Sequence, residues 1–193
     1  MKFLPIDLLD EQSITDAAER ITEPLDLVII TTGILHMGEG LMPEKSIKDF
    51  HPDHFARIFA INTTGPAMIA KYFLPKMAKN RKNVFAVLSA RVGSISDNRL
   101  GGWYAYRASK AALNMIVKNL AIETARKNKS SVVVALHPGT VESTLSEPFQ
   151  AGVPDGKLFT PEYSAVQLVN VIDQLKQEDS GNLFAWDGEK LTF

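Results

Sequence analysis

Tyr106 and Lys110 stand four residues apart in the run Tyr106-Arg107-Ala108-Ser109-Lys110. On a helix that spacing puts both side chains on one face, with Cβ atoms about 5–6 Å apart. An ammonium beside a phenol favours the phenolate and lowers the phenol pKa from its reference of ~10. A tyrosine tuned downward in this way serves as a general acid or base near neutral pH. Tyr104 has no lysine four residues on, so Tyr106 is the candidate. Taken alone, the spacing also describes a surface tyrosine lying on a lysine stem, and the surrounding pattern has to decide.

That pattern is an alternation of strands and helices. Lys2–Asp7 reads as a short strand, with Pro5 confining it to an edge or a strand end. Asp10 is placed to cap a helix running to Ile21. Leu25–Thr31 is a short apolar run rich in β-branched residues, as in a strand of a parallel sheet buried on both faces. Asp53–Met77 carries apolar residues at helical spacing, Asn83–Ser89 reads as a strand, and Tyr104–Lys127 as a second long helix. Ser131–Leu136 is a further strand, closed by His137-Pro138-Gly139. Thr160-Pro161 opens a helix to about Lys176, and Asn182–Trp186 is a last strand before an Asp187-Gly188 turn. The order predicts one α/β domain over residues 1–193, a Rossmann-like, mostly parallel sheet flanked by helices.

In open sheets of this kind ligands bind beyond the carboxyl ends of the strands. Three such ends carry small or polar residues: Thr31-Thr32-Gly33, Ser89 with Gly93-Ser94, and Pro138-Gly139-Thr140. Tyr106 follows the second of them. The four histidines, His36, His51, His54 and His137, are scattered and read as surface or loop residues rather than ligands.

Composition narrows the function classes. A net charge of −1 leaves no electrostatic footprint for nucleic acid. The absence of cysteine removes disulfides, thiolate chemistry and any zinc site built on cysteine. No stretch reaches the ~18 apolar residues of a membrane span, and the start lacks a secretory apolar core. A soluble, cytoplasmic protein acting on a small molecule is the expectation.

The successive motifs TTG, INTTG, LSARVGSI, YRASKAALN and HPGTVEST resemble the short-chain dehydrogenase/reductase family. The stretch SARVGSISDNRLGGWYAYRASKAALNM is most similar to its C-factor/Sniffer-like carbonyl reductase branch. The resemblance implies an oxidoreductase that moves hydride between NAD or NADP and a small carbonyl or alcohol substrate. Tyr106 would exchange the substrate proton, and Lys110 would lower the Tyr106 pKa and hold the nicotinamide ribose. Asn62 matches the helix asparagine that holds a proton-relay water. Thr31, Thr32 and Gly33 match the Asn-Asn-Ala-Gly stretch beside the cofactor, and Asp7 the aspartate that contacts the adenine. Pro138, Gly139, Val141 and Ser143, or Thr144 for the last hydroxyl, match the segment beside the nicotinamide amide. The apolar faces of the two long helices read as core or as the helix-pair interface of a homo-oligomer that the family implies, rather than as a cofactor box.

The chain departs from the family pattern at two places. Where the family has Ser-Ser-x-x-Gly, this sequence has Ser89-Ala90-Arg91-Val92-Gly93-Ser94, so Ser89 or Ser94 must supply the carbonyl-orienting hydroxyl, or neither does. The glycine-rich turn that binds the pyrophosphate at a helix N-terminus is not found, and the chain starts where the family's third strand falls. Weakened cofactor binding is one expectation from this. Another is that the Lys2–Asp7 strand moves beside Leu25–Thr31, which would otherwise become an open edge. A non-catalytic, dimer-forming or partner-binding scaffold stays open as the alternative function. A flavodoxin-like binding domain shares the layering but lacks its phosphate loop here.

Overall fold

The computed structural model describes residues 3–38 and 40–193. Its main sheet has the order β1-β2-β3-β6-β7, with β1 (Leu27–Ile30), β2 (Asn83–Leu88), β3 (Ser131–His137), β6 (Leu183–Ala185) and β7 (Lys190–Leu191). The first four strands are parallel, and β7 returns antiparallel on β6 across the Asp187-Gly188 turn. A parallel ribbon of β4 (Thr140–Val141) and β5 (Leu158–Phe159) stands apart. The α/β, Rossmann-like reading of the sequence holds.

Burial explains why the central strands are unbroken apolar runs. Phe85, Val87, Val133, Ala135 and Leu183 face one core, where they meet α1 (Glu11–Glu19), α3 (Gly65–Phe73) and α4 (Tyr104–Lys127). Val84, Ala86, Val132, Val134 and Leu136 face the other core, closed by Leu168, Val171 and Ile172 of α5 (Pro161–Gln174). With helices on both faces, the middles of β2 and β3 are apolar on both sides, and polar residues are confined to the strand ends at Asn83, Ser131 and His137.

Asp10 caps α1 by accepting the Gln12 N–H, and Thr160 caps α5 by accepting that of Tyr163, as their types predict. The long pattern Asp53–Met77 becomes α2 (Pro52–Phe59), a π turn over Ala60–Thr64, α3, and a 3₁₀ turn over Leu74–Lys76. Pro66 supplies a cause for the π turn. Its nitrogen cannot donate and its ring clashes with the carbonyl four residues back. The ladder therefore slips, and the Gly65 N–H donates to Ala60 O, five residues back.

One expectation fails. Lys2 lies outside the described residues, and residues 3–7 form no strand. Among the described residues β1 pairs with β2 alone, so it is an edge strand, with Leu27 and Ile29 43% and 37% exposed. Pro5 removes a ladder donor. Leu4 and Leu8 instead pack against the helix-side core, where Gly65 leaves room for Leu8: a Cβ there would stand 3.0 Å from Leu8 Cβ.

Candidate active site

Loops from the carboxyl ends of β1, β2 and β3 surround a cavity of about 460 Å³. Thr31, Thr32 and Gly33 come from the first, Ser89 and Ala90 from the second, and Pro138, Gly139, Val141 and Ser143 from the third. Tyr106 and Lys110 reach the same cavity from the first turns of α4. Helical spacing puts both on the buried stripe that includes Ala105, Ser109, Leu113, Asn114 and Val117.

The pair is not joined directly. Lys110 Nζ lies 5.8 Å from the Tyr106 ring centroid and donates to Leu88 O at 2.9 Å. Burial, which penalises the charged forms, dominates both groups: it pushes the Tyr106 phenol up to about 12 and the Lys110 ammonium down to about 8. In the chain by itself burial therefore sets the Tyr106 pKa above its ordinary value. The result suits proton donation, because a phenol held neutral at pH 7 carries the proton to be given away.

Ser89 and Ser94 are separated by the fold. Ser89 borders the cavity, and its Oγ donates to Asn114 Oδ1 at 2.7 Å. Among the described residues Asn114 Nδ2 is buried without a partner. A half-turn of that amide lets Nδ2 donate to Ser89 Oγ and frees the serine O–H to point into the cavity. Ser94 does not border this cavity; its Oγ accepts the Asp97 N–H at 3.2 Å and lies 3.4 Å from Ser96 Oγ.

Asn62 sits in the π turn, fully buried. Its Oδ1 accepts the Ile34 N–H and its Nδ2 donates to Ile34 O, each at 2.8 Å, with a 3.2 Å bond to Ser109 Oγ. The side chain thus ties the loop after β1 to α4 instead of entering the cavity. Asp7 is also not brought to the site. It is exposed, its Oδ1 accepts the Leu9 N–H, and its N–H donates to Ser13 Oγ, a local turn ahead of α1. Thr144 lies outside the cavity wall, and its carbonyl accepts from His36 Nε2 at 3.0 Å.

Three site features escape sequence reasoning. His137, read from the sequence as a surface or loop residue, ends β3 and lines the cavity with a buried Nδ1 that has no partner among the described residues. Burial first, and then the Arg91 charge, push its imidazole down to about 4. Trp103 and Phe149 form an aromatic wall, rings 4.8 Å apart, and Trp103 meets the Tyr106 ring edge-on at 6.3 Å. Glu44 is buried beside the start of α4. The run of glycines before Trp103 was the available signal for an unusual turn there.

The residues present fit the nicotinamide end of a dinucleotide. Lys110 has one hydrogen-bond partner among the described residues, which leaves ammonium donors for ribose hydroxyls. Gly33 keeps the wall beside that ammonium bare: a Cβ there would stand 3.5 Å from Lys110 Nζ. Asp7 gives no support for an adenine contact.

The short chain dehydrogenase family profile matches residues 1–153. The C-signal protein of Myxococcus xanthus is 35% identical over 170 residues, 88% of this chain and 93% of the relative. A 1-hydroxy-2-glutathionyl-2-methyl-3-butene dehydrogenase of Rhodococcus sp. is 32% identical over 186 residues, covering 95% and 76%. Among solved structures, an NADPH-bound carbonyl reductase from chicken fatty liver superposes with a TM-score of 0.84 at 27% identity, covering 98% of this chain and 76% of that one. The carbonyl reductase Sniffer of D. melanogaster gives 0.83 at 25% identity, covering 98% and 77%. The chain belongs to the short-chain dehydrogenase family of NAD(P)-dependent oxidoreductases.

Proposed function

We propose that this chain, one catalytic unit over residues 1–193, reduces a small carbonyl compound, or oxidises the matching alcohol, with NADP or NAD. The observation that carries the reading is the convergence of Tyr106 and Lys110 with three strand ends on one cavity. A bound nicotinamide supplies or accepts the hydride. In the reducing direction Tyr106 Oη gives its proton to the carbonyl oxygen, and the phenolate left behind is stabilised by the Lys110 ammonium. Ser89 orients the carbonyl, in preference to Ser94, because only Ser89 borders the cavity. Thr31, Thr32 and Gly33 hold one side of the nicotinamide nucleoside, with Pro138, Gly139, Val141 and Ser143 on the other. Asn62 acts through position, by fixing the loop after β1 against α4.

The carbonyl reductase neighbours, one of them bound to NADPH, support this substrate class and cofactor. Met115 and Ile122 on α4 are exposed, which supports a homo-oligomer through the long helices. A cytoplasmic location is part of the same reading; no described helix is long and apolar enough to cross a membrane. The test is spectrophotometric oxidation of NADPH or NADH with a panel of ketones and aldehydes. Turnover that falls by ~10²–10⁴ in Tyr106→Phe is expected. Turnover that survives in that variant, or no turnover with either cofactor, overturns the reading.

A further inference from the structure

Glu44 is 3% exposed, and among the described residues it has no ion-pair partner. A buried carboxylate without a cation needs hydrogen bonds in compensation, and the one its carboxylate makes among the described residues goes to the start of α4, where its main chain bonds as well. Its Oε2 accepts the Ala105 N–H at 3.1 Å, and its main-chain O accepts the Trp103 N–H at 2.6 Å. The N-cap of α4 is Trp103, whose indole offers no acceptor to the free N–H groups of the first turn. Glu44 supplies that acceptor from a different loop.

The turn so held is unusual. Gly101, Gly102 and Trp103 are left-handed in succession, with φ of 63°, 65° and 50°, and Trp103 is the one non-glycine residue with positive φ among the described residues. A bulky side chain keeps that conformation only when its surroundings impose it. The consequence is local and specific: the indole becomes part of the cavity wall, against Phe149 and edge-on to the ring of Tyr106. Leu35, Val92 and Leu145 complete an apolar surface. A flat ring attached to the reacting carbonyl carbon fills such a wall by edge-to-face and offset contacts, which a puckered saturated ring of equal size does not make.

We propose that Trp103 is a specificity-determining residue that selects carbonyl compounds with an aryl group on the carbonyl carbon, and that Glu44 is the positioning residue that holds Trp103 for this task. The proposal rests on the reading of Tyr106 as the proton donor. The probes are acetophenone and its saturated counterpart, cyclohexyl methyl ketone. Each is measured by turnover, and separately by quenching of Trp103 fluorescence in a Trp186→Phe background, which needs no turnover. The expected preference in kcat/KM for the aryl ketone is about tenfold, the size of one good aromatic pair. Trp103→Asn, whose side chain tolerates the left-handed backbone, brings the ratio close to one. Glu44→Ala does the same, mainly through KM, and Glu44→Gln restores the ratio because the amide oxygen still accepts from Ala105.

A purely structural Glu44 would lower melting temperature and slow both ketones alike, leaving the ratio unchanged, and that result overturns the positioning role. A ratio near one in the unaltered chain, or a ratio that survives Trp103→Asn, overturns the specificity role. If Glu44→Ala does not fold, Trp103→Asn and Glu44→Gln decide. Quenching that favours the aryl ketone without any turnover sinks the reductase reading and leaves the wall standing; equal turnover of both ketones does the reverse.

Discussion

Lys110 Nζ lies 5.8 Å from the centre of the Tyr106 ring and donates a hydrogen bond to the Leu88 carbonyl at 2.9 Å. The ammonium is near enough to stabilise a phenolate through space, and it is anchored to the strand end that also carries Ser89. Since burial pushes Lys110 down to about 8 and Tyr106 up to about 12, the two groups differ in which one titrates within working range. Carbonyl reduction needs Tyr106 protonated and Lys110 charged. The pH profile of kcat/KM in the reducing direction, which reports the groups of the free chain, is therefore expected to fall above about pH 8, as Lys110 loses its proton, with no earlier limb from Tyr106. In Lys110→Met that descending limb disappears along with most of the rate. A limb that persists in Lys110→Met assigns it to another group.

The same burial has a thermodynamic signature. Lys110 ordinarily titrates at 10.5, and its folded value is about 8. Between those pH values the unfolded chain binds more protons, so stability rises with pH across this window. A tenfold difference in proton affinity between the folded and unfolded chain is worth about 1.4 kcal/mol, so the rise from pH 8 to pH 10 is about 2–3 kcal/mol. Above pH 10 the raised Tyr106 opposes it, because the folded state then holds the extra proton. Denaturant unfolding at pH 7, 8.5 and 10 measures the rise. Lys110→Met, which keeps the apolar stem and drops the charge, is expected to flatten it and to exceed the unaltered chain in stability at pH 7.

On the acid side His137 acts in the same sense, through a second depressed base. Its folded value of about 4 lies below the ordinary 6.5, so the unfolded chain takes up the proton first as pH falls. Stability is full above pH 6.5 and declines toward pH 4. The residue keeps part of its surface in water, which limits the loss to about 2 kcal/mol. His137→Gln is expected to remove most of the decline, read as the difference in unfolding midpoint between pH 7 and pH 4.5.

The apolar runs of β2 and β3 and the caps at Asp10 and Thr160 were legible from residue type alone, because burial on both faces and free helix donors each leave few choices. The approach of Tyr106 to Lys110 was legible from spacing. Their pKa directions were not, since desolvation depends on how much of the chain closes over the pair. The open edge at β1 was misjudged for a related reason. The short run and its Pro5 describe residues 3–7 locally, whereas their placement depends on Leu4 and Leu8 finding a helix face next to Gly65. Glu44 carried no local signal: its partners are Trp103 and Ala105, about sixty residues on.

Gly93 tests how tightly α4 must sit. A Cβ at this position would stand 2.7 Å from Lys110 Cβ and 2.9 Å from the Lys110 carbonyl carbon. Backbone cannot swing aside as a flexible side chain would, so Gly93→Ala has to lift α4 away from the strand end. Overpacking of this kind costs about 1–3 kcal/mol. Because the displaced residue is Lys110 itself, turnover is expected to fall further than the loss of stability alone would bring about. A variant with lowered melting temperature but full kcat would show that the helix absorbs the shift without moving the ammonium.

The two serines differ in what they can reach. Ser89 borders the cavity and is held by Asn114, whereas Ser94 is engaged with Ser96 and Asp97 away from it. Loss of a single hydroxyl that orients a carbonyl in a water-poor site is expected to cost about 10- to 10³-fold in kcat. That loss should appear in Ser89→Ala and not in Ser94→Ala. Asn114→Leu leaves Ser89 Oγ without its partner and is expected to lower kcat by a smaller factor, about tenfold, with KM for the cofactor little changed, because the hydroxyl is still present but no longer aimed. If Ser94→Ala proves the more damaging variant, the cavity-facing serine is not the one that meets the carbonyl, and the segment between β2 and α4 must rearrange when substrate binds.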